Sequence, residues 1–158
     1  MTGILSPKAA RELVKNHYTG HLAVADENGP YVVPFTYYYD EVSNSLISYT
    51  AEGRKVDALR KDARACVNVS EIKALNLWKS VIVEGTFEEL KEVEAVDAIL
   101  LLITRLKDQV NASGHPEVDT IAEMSPAKAS ATKVVYRINI DKISGRFETQ
   151  ETAEKVGA

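Results

Sequence analysis

The sequence predicts a mainly β protein, a closed or partly closed antiparallel β-barrel with peripheral helices. Six segments have the alternating or β-branched pattern of strands, and most are separated by short turns. Only three segments have helical spacing, and this balance favours a barrel. The predicted strands are residues 21–26, 31–40, 45–50, 63–71, 78–90 and 133–147.

The first element is a predicted helix over residues 8–16. Ser6 is suited to the N-cap. Pro7 is suited to the first helical position, because a backbone N–H there would have no acceptor within the helix and proline has none to lose. A strand over residues 21–26 follows. Asn28-Gly29 then predicts a tight turn into the next strand.

The strand over residues 31–40 contains Pro34, which cannot donate a hydrogen bond to a neighbouring strand. One interpretation is an edge strand that is protected against aggregation. The other is a local release of the backbone towards a ligand. The backbone groups released would be those of Val33, Phe35 and Thr36.

The next helix, residues 53–61, begins with Arg54 and Lys55. Cations are unusual there, because the peptide dipoles already make a helix N-terminus positive. Such a concentration of positive charge suits a phosphate group. The alternative is an ordinary solvated helix start, in which the two cations pair with Glu52 and Asp57. The preceding strand ends in two hydroxyl residues, Tyr49 and Thr50.

The second half of the chain contains two long strands and the longest helix. Gly85, in the middle of the strand over residues 78–90, predicts a bulge or sharp bend. Apolar residues at helical spacing predict an amphipathic helix over residues 93–110. The connection over residues 111–132 is long enough to be functional or partly disordered. We expect one domain, residues 1–150, and a polar tail, residues 151–158.

Composition excludes several classes of function. The 158 residues carry a formal net charge of −4, which disfavours a nucleic-acid-binding protein. No apolar run approaches the roughly 20 residues needed to span a bilayer, and the first residues do not resemble a secretory signal. Cys66 is the only cysteine, so an internal disulfide is excluded. We therefore expect a cytoplasmic protein that binds neither nucleic acid nor membrane.

Other motifs favour structural explanations. His115 lies near Glu117 and Asp119, but no second histidine or cysteine stands at ligand spacing, so we predict no metal site. No dinucleotide-binding or P-loop glycine pattern occurs. Residues 37–39 are three tyrosines, which could stack on bases. Alternation sends them to opposite faces, so we expect them to fill a barrel and a dimer face.

Four stretches resemble the pyridoxamine 5′-phosphate oxidase-like flavoproteins, and most closely their nitroimidazole-resistance-like branch. They are PFTYYYD, SYTAEGRKVDALRKDARACVNV, WKSVIVEGTFE and KISGRF. The most specific piece is the turn TAEGRK, and the resemblance covers residues 20–147. It implies an FMN-binding split β-barrel that forms a homodimer with the flavin at the subunit interface.

The resemblance also implies which residues hold FMN. The strand around Pro34 would line the flavin ring with main-chain groups, and the end of the next strand would contact the ring and the ribityl chain. Arg54 and Lys55 would bind the phosphate, and Ser80 would touch the ring. Trp78 would contact the ring or the other subunit, or serve only as a core or interface aromatic. The full set is Val33, Pro34, Phe35, Thr36, Tyr49, Thr50, Arg54, Lys55, Trp78 and Ser80.

Two departures from the family narrow the activity. The C-terminal tryptophan-and-arginine signature of the true oxidases is absent, so we do not expect oxidation of vitamin B6. Many members of the nitroimidazole branch carry a histidine near the flavin. None of His17, His21 and His115 lies within residues 31–50, so a nitroreductase role is unsupported.

We therefore expect an FMN-dependent oxidoreductase that acts on a small organic molecule, with the flavin performing the chemistry. The sequence identifies no general acid or base. A nicotinamide cofactor, NADH or NADPH, could supply electrons, but no site for one is recognisable. The alternative is a non-catalytic protein that binds FMN, deazaflavin or haem for sensing or storage. Haem would need one of the three histidines as its axial ligand.

A homodimer is expected because a half-open barrel leaves apolar strand surface that must be covered. The helix over residues 93–110 and the loop after it are the candidates for this cover.

Overall fold

The computed structural model describes residues 1–112, 126 and 131–150. The strands are β1 (Thr2–Ile4), β2 (Thr19–Asp26), β3 (Gly29–Thr36), β4 (Tyr38–Asp40), β5 (Ser45–Thr50), β6 (Arg64–Ala74), β7 (Leu77–Leu90) and β8 (Val134–Glu148). The helices are α1 (Pro7–Asn16), α2 (Arg54–Lys61) and α3 (Glu92–Ala112).

All strand pairs are antiparallel, and the order in the sheet is β3-β2-β6-β7-β8-β5-β4, with β1 paired to β8. The two end strands, β3 and β4, are joined by a single residue, Tyr37. The sheet must therefore curl until its two edges approach each other. Across this seam the Ser48 hydroxyl donates to the carbonyl of Thr36 at 2.6 Å. The mainly β, partly closed barrel predicted from the sequence is confirmed.

The predicted strand over residues 31–40 is wrong in one respect, because the structure divides it at Tyr37. There the chain leaves β2, with a last bond from Tyr37 N–H to Tyr18 O at 2.8 Å, and joins β5. The Tyr37 ring is fully buried, and its hydroxyl donates to Val14 O of α1 at 2.6 Å. Pro34 does not interrupt the strand. It pairs with His21 in β2 and lies on an edge strand, as one of its two interpretations proposed.

The bulge predicted at Gly85 is confirmed. The pairing of β7 with β8 shifts between Glu84 and Gly85. A Cβ atom at position 85 would lie 2.5 Å from the carbonyl oxygen of Asn139, which requires glycine. The predicted cap of α1 is confirmed as well, because Ser6 Oγ accepts from the N–H of Ala9 at 3.2 Å.

Two local features differ from the sequence prediction. β1 was not predicted, because three residues are too few to show alternation. The turn before β3 lies one residue earlier than Asn28-Gly29 suggests: Asp26 pairs with Gly29, and Gly29 alone takes a positive φ, +105°. Most of the 111–132 connection, and the tail over residues 151–158, lie outside the described residues.

The core has two parts. In the barrel core, the largest fully buried side chains are Leu22, Tyr37, Leu46, Leu59, Tyr136 and Ile138. The second part lies under α3, where Ile99, Leu102 and Leu106 pack against Ile47 and Val135 of β5 and β8. Both faces of β5 are therefore covered, and α3 covers its outer face within the protomer.

The three tyrosines alternate as predicted. Tyr37 and Tyr39 belong to the barrel interior, whereas Tyr38 packs against the core under α3. The guanidinium of Arg105 lies 5.9 Å from the ring centre of Tyr38. None of the helices in the described part of the chain is both long and apolar enough to cross a membrane.

Replacing Tyr37 by phenylalanine tests the seam. Tyr37→Phe removes a buried hydrogen bond to α1, and we expect the free energy of unfolding to fall by about 1–2 kcal/mol. The matched control is Tyr38→Phe, because the half-buried Tyr38 hydroxyl makes no hydrogen bond to a described residue. Urea denaturation measures both variants. Equal losses in the two would show that the bond to Val14 does not stabilise the seam.

Candidate functional site

A cavity of about 280 Å³ lies between the edge strand β3, strand β5 and the two helices α2 and α3. It brings together five of the ten residues predicted to hold a ligand. Its lining is Pro34, Phe35, Thr36, Ser48, Tyr49, Lys55 and Leu106. Ser48 and Leu106 were not predicted.

The β3 side of the cavity is an unpaired strand edge. Every second residue of an edge strand directs its N–H and C=O away from the sheet. Thr36 O accepts from Ser48, and no other strand in the described part of the chain pairs with this edge. Because this edge borders the cavity, the two interpretations of Pro34 are compatible: β3 is an edge strand, and its backbone faces a cleft.

Lys55, the second residue of α2, places a cation at this cavity. Its side chain is half-buried, and Nζ makes no hydrogen bond or ion pair with a described residue. Burial lowers the pKa of Lys55 below its usual value. A partly desolvated charge without a partner is unfavourable, so the site favours an anion.

The start of α2 adds to this positive potential. The N-cap residue is Gly53, and no side chain caps the helix. The first N–H groups of α2 therefore have no side-chain acceptor from the cap, and the helix dipole favours an anion there.

Arg54 does not join Lys55 in the cavity. Its guanidinium makes two bonds to the Asp26 carboxylate, Nε–Oδ2 at 2.7 Å and Nη2–Oδ1 at 3.0 Å, and lies 4.3 Å from the ring centre of Tyr31. The hydrogen bond from Arg54 lowers the pKa of Asp26. Arg54 instead lines a separate surface cavity of about 290 Å³ beside Asp26.

The alternative of an ordinary helix start, with both cations paired to Glu52 and Asp57, is wrong. Arg54 pairs with Asp26, and Glu52 pairs with Arg60 in the last turn of α2. Lys55 is therefore the one cation of the predicted pair that the described residues leave available.

Two predicted residues on the same strands lie outside the cavity lining. Val33 is half-buried and packs against the barrel core. Thr50 is the last residue of β5 and pairs with Val134. Neither side chain lines the Lys55 cavity.

Trp78 and Ser80 line a second cavity, of about 420 Å³, on the outer surface formed by β7, β8 and β1. Trp78 Nε1 donates to Glu148 Oε2 at 2.9 Å, and Ser80 Oγ accepts from Asn68 Nδ2 at 2.8 Å. Within one protomer, neither residue lines the Lys55 cavity. The other residues of this second cavity are Ile4, Ile82, Ser144, Gly145 and Arg146.

One row of the sheet runs between the two cavities on the outer surface. The pairing registers place Pro34 beside His21, His21 beside Asn68, and Asn68 beside Ile82. Apolar side chains are exposed on this surface: Ile4 at 73%, Val32 at 59% and Ile82 at 36%. We call this surface the outer face. It joins the Lys55 cavity to the cavity that contains Trp78.

A buried polar pair lies behind the Lys55 cavity. Ser48 is opposite Tyr136 in the β5–β8 ladder, but it donates to Thr36 O, and the buried Tyr136 hydroxyl has no hydrogen-bond partner among the described residues. Burial raises the pKa of Tyr136 to about 12. The phenol is therefore protonated at neutral pH. The sequence offered a weak signal, a serine inside an apolar strand.

The histidines are not gathered at a site. His17 Nδ1 donates to Leu13 O at 2.8 Å, and His21 is exposed on β2. His115 lies outside the described residues. Within residues 1–112, 126 and 131–150, no three histidine, cysteine or carboxylate side chains gather in a way that could hold a metal ion.

Comparison with known proteins gives a consistent result. The family model described as pyridoxamine 5′-phosphate oxidase matches residues 6–147. An FAD-binding protein of Mesorhizobium loti is 26% identical in sequence, with a TM-score of 0.73, and the match covers 95% of this chain and 98% of that one.

Two further proteins are also similar to this chain. A Bacteroides thetaiotaomicron protein named for 5-nitroimidazole antibiotic resistance has a TM-score of 0.68 at 16% identity, with 93% of this chain and 87% of that chain covered, and so shares the fold. An uncharacterised protein of Rhizobium meliloti (strain 1021) is 29% identical over 87 residues, which span 55% of this chain and only 56% of that protein.

Proposed function

Because the chain belongs to the pyridoxamine 5′-phosphate oxidase family, whose model matches residues 6–147, we propose that it binds FMN and uses it to transfer electrons to or from a small organic molecule. The observation that carries this proposal is the half-buried ammonium of Lys55, which has no partner among the described residues and lies beside an open strand edge. FMN has a phosphate that suits the Lys55 ammonium and a planar polar ring that suits the open edge of β3.

Lys55 is the residue best suited to hold the phosphate. Its ammonium is partly desolvated already, so part of the cost of dehydrating a cation for binding is met by folding. The uncapped start of α2 lies beside it and favours the same charge. Arg54 already binds Asp26 and lines the separate cavity beside it, so its role is secondary.

The ring would lie against β3. The backbone of Pro34, Phe35 and Thr36 offers an unpaired edge, and Tyr49 supplies an aromatic side chain and a hydroxyl. When bound, flavin supplies the redox chemistry at its N5 atom, and the chain supplies binding and orientation. No residue of the cavity lining is an evident general acid or base, because the lining has no histidine, carboxylate or cysteine.

The size of the cavity supports a homodimer. Its volume of about 280 Å³ is at or below the lower end of the range for small-molecule sites, roughly 300–1,000 Å³. A second copy docked on the outer face would cover the exposed apolar side chains. It would also bring the cavity with Trp78 and Ser80 of one protomer to the Lys55 cavity of the other. We therefore place the flavin at a subunit interface.

FAD is the second candidate cofactor, because the Mesorhizobium loti relative is an FAD-binding protein. FAD contains the same ring and a phosphate at the same position. A non-catalytic flavin carrier fits the same geometry, and turnover is what separates it from an enzyme. A cytoplasmic location is supported by the single cysteine, Cys66.

The decisive experiment is the visible absorption spectrum of the purified protein, with mass spectrometry of whatever heat releases. An FMN mass supports the proposal, and an FAD mass changes the cofactor but not the site. A colourless protein that also fails to bind added flavin would overturn the proposal. Anaerobic reduction by NADH or NADPH, then reoxidation by candidate acceptors, separates an enzyme from a carrier.

Lys55→Gln should weaken FMN binding by about 10- to 100-fold, the equivalent of about 1.5–3 kcal/mol for a charge-assisted bond. Riboflavin has the same ring without the phosphate, so its affinity should change little. Arg54→Gln is the matched control, and should leave FMN affinity nearly unchanged because Asp26 already holds Arg54. Titration calorimetry gives all the affinities. A parallel loss of FMN and riboflavin in Lys55→Gln would contradict phosphate binding by Lys55.

The ratio of FMN affinity to riboflavin affinity should fall at alkaline pH. Burial lowers the pKa of Lys55 in the free protein, and a bound phosphate would raise it. The ammonium that binds phosphate is therefore lost as pH rises through this lowered pKa, below 10.5. Fluorescence titrations between about pH 8 and pH 10 avoid the phosphate's own ionisation near pH 6. Lys55→Arg should remove this pH dependence. If the affinity ratio of that variant still changed with pH, a group other than Lys55 would be responsible.

Ile82→Lys tests the subunit interface. A charge on the outer face should prevent a second copy from docking and should weaken FMN binding as well. Val42→Lys is the control, because Val42 is 97% exposed in the turn before β5. Light scattering and FMN titration follow both properties. A dimeric Ile82→Lys variant with normal FMN affinity would place the interface on another surface.

A further inference from the structure

Arg60, in the last turn of α2, binds two carboxylates at once. It makes two hydrogen bonds to Glu52, Nη1–Oε2 at 2.7 Å and Nη2–Oε1 at 3.0 Å. It makes two more to Glu89 of β7, Nε–Oε2 at 3.0 Å and Nη2–Oε1 at 2.8 Å. A planar guanidinium held by four hydrogen bonds to two carboxylates is an ordered arrangement and not a chance surface contact.

The position of Glu52 makes this arrangement relevant to the site. Glu52 directly precedes Gly53, the N-cap of α2, and lies three residues before Lys55. A carboxylate at that position is attracted by the free N–H groups of the helix start and by the positive charge of Lys55. If Glu52 turned towards them, its negative charge would occupy or repel any anionic ligand at Lys55.

We propose that Arg60 is a positioning residue that keeps the anion site open by binding Glu52. This inference rests on the proposed function, in which Lys55 binds the flavin phosphate. Arg60 itself does not line the Lys55 cavity. It acts by holding the Glu52 carboxylate at the last turn of α2, so that Glu52 does not pair with the Lys55 ammonium.

A purely structural role would give a different pattern. Arg60 also links α2 to β7 through Glu89, and loss of that link could shift the helix. A shifted helix would affect every ligand of the cavity. Competition from Glu52 acts only on the charged group of the ligand, so it weakens the binding of FMN and leaves the binding of riboflavin unchanged.

The experiment measures FMN and riboflavin affinities for four proteins: the natural chain, Arg60→Gln, Glu89→Gln and the double variant Arg60→Gln with Glu52→Gln. Arg60→Gln should weaken FMN binding about three- to tenfold, which corresponds to the usual contribution of a surface charge pair or of a charge at a helix end. Riboflavin should bind as in the natural chain. The double variant should restore FMN binding, because the competing charge is gone.

Glu89→Gln is the matched control. It removes the charge of Glu89 and so weakens the link to β7, but it keeps Arg60 on Glu52, so FMN affinity should remain that of the natural chain. If FMN binding is lost as in Arg60→Gln, or if Glu52→Gln fails to rescue Arg60→Gln, the inference is overturned. If Arg60→Gln does not fold, Arg60→Met with and without Glu52→Gln answers the same question, because methionine cannot bind Glu52 and rescue is still the readout.

The two proposals fail in distinguishable ways. If Lys55→Gln leaves the preference for FMN over riboflavin intact, the phosphate assignment itself is wrong, and the role of Arg60 fails with it. If Lys55→Gln abolishes that preference and Arg60→Gln does not alter it, only the inference about Arg60 fails.

Discussion

The site depends on a strand edge that the barrel leaves open. At Tyr37 the chain leaves β2 and joins β5, so β3 ends its sheet with one edge unpaired. Unpaired backbone groups next to a core are tolerated only where another group or solvent can satisfy them. Ser48 satisfies one, the carbonyl of Thr36. The end of this edge, at Pro34 and Phe35, borders the Lys55 cavity, and the buried Tyr37 hydroxyl bonds the chain beside it to α1.

The charges of α2 give the opening its chemical character. Both of its arginines have carboxylate partners: Arg54 binds Asp26, and Arg60 binds Glu52 and Glu89. These exposed pairs contribute little to stability. Their effect is on the distribution of charge, because they neutralise Asp26, Glu52 and Glu89, while Lys55 has no carboxylate partner among the described residues. The anion-binding site that we propose thus lies in a chain whose net charge is negative.

Much of the fold could be predicted from the sequence because it rests on local patterns. The cap at Ser6, the long periodic helix α3 and the bulge at Gly85 all have short-range signals, and all three are confirmed. The failures were non-local or too short for a pattern. Tyr37 has ordinary strand propensity, and the break there follows from a change of partner strand. β1 has three residues and exists only because β8 offers an edge.

The fold class, the family and a short list of candidate site residues follow from the sequence alone, because strand alternation, helix caps and the TAEGRK turn each depend on adjacent residues. Which of those residues meet depends on contacts between elements that are distant in the chain. Arg54 and Lys55 are neighbours in the chain, yet they meet different groups. Arg54 binds Asp26, which is 28 residues away in the sequence, whereas Lys55 lines the cavity. Adjacent side chains on a helix point about 100° apart, and the strands packed around α2 decide which group each of them meets.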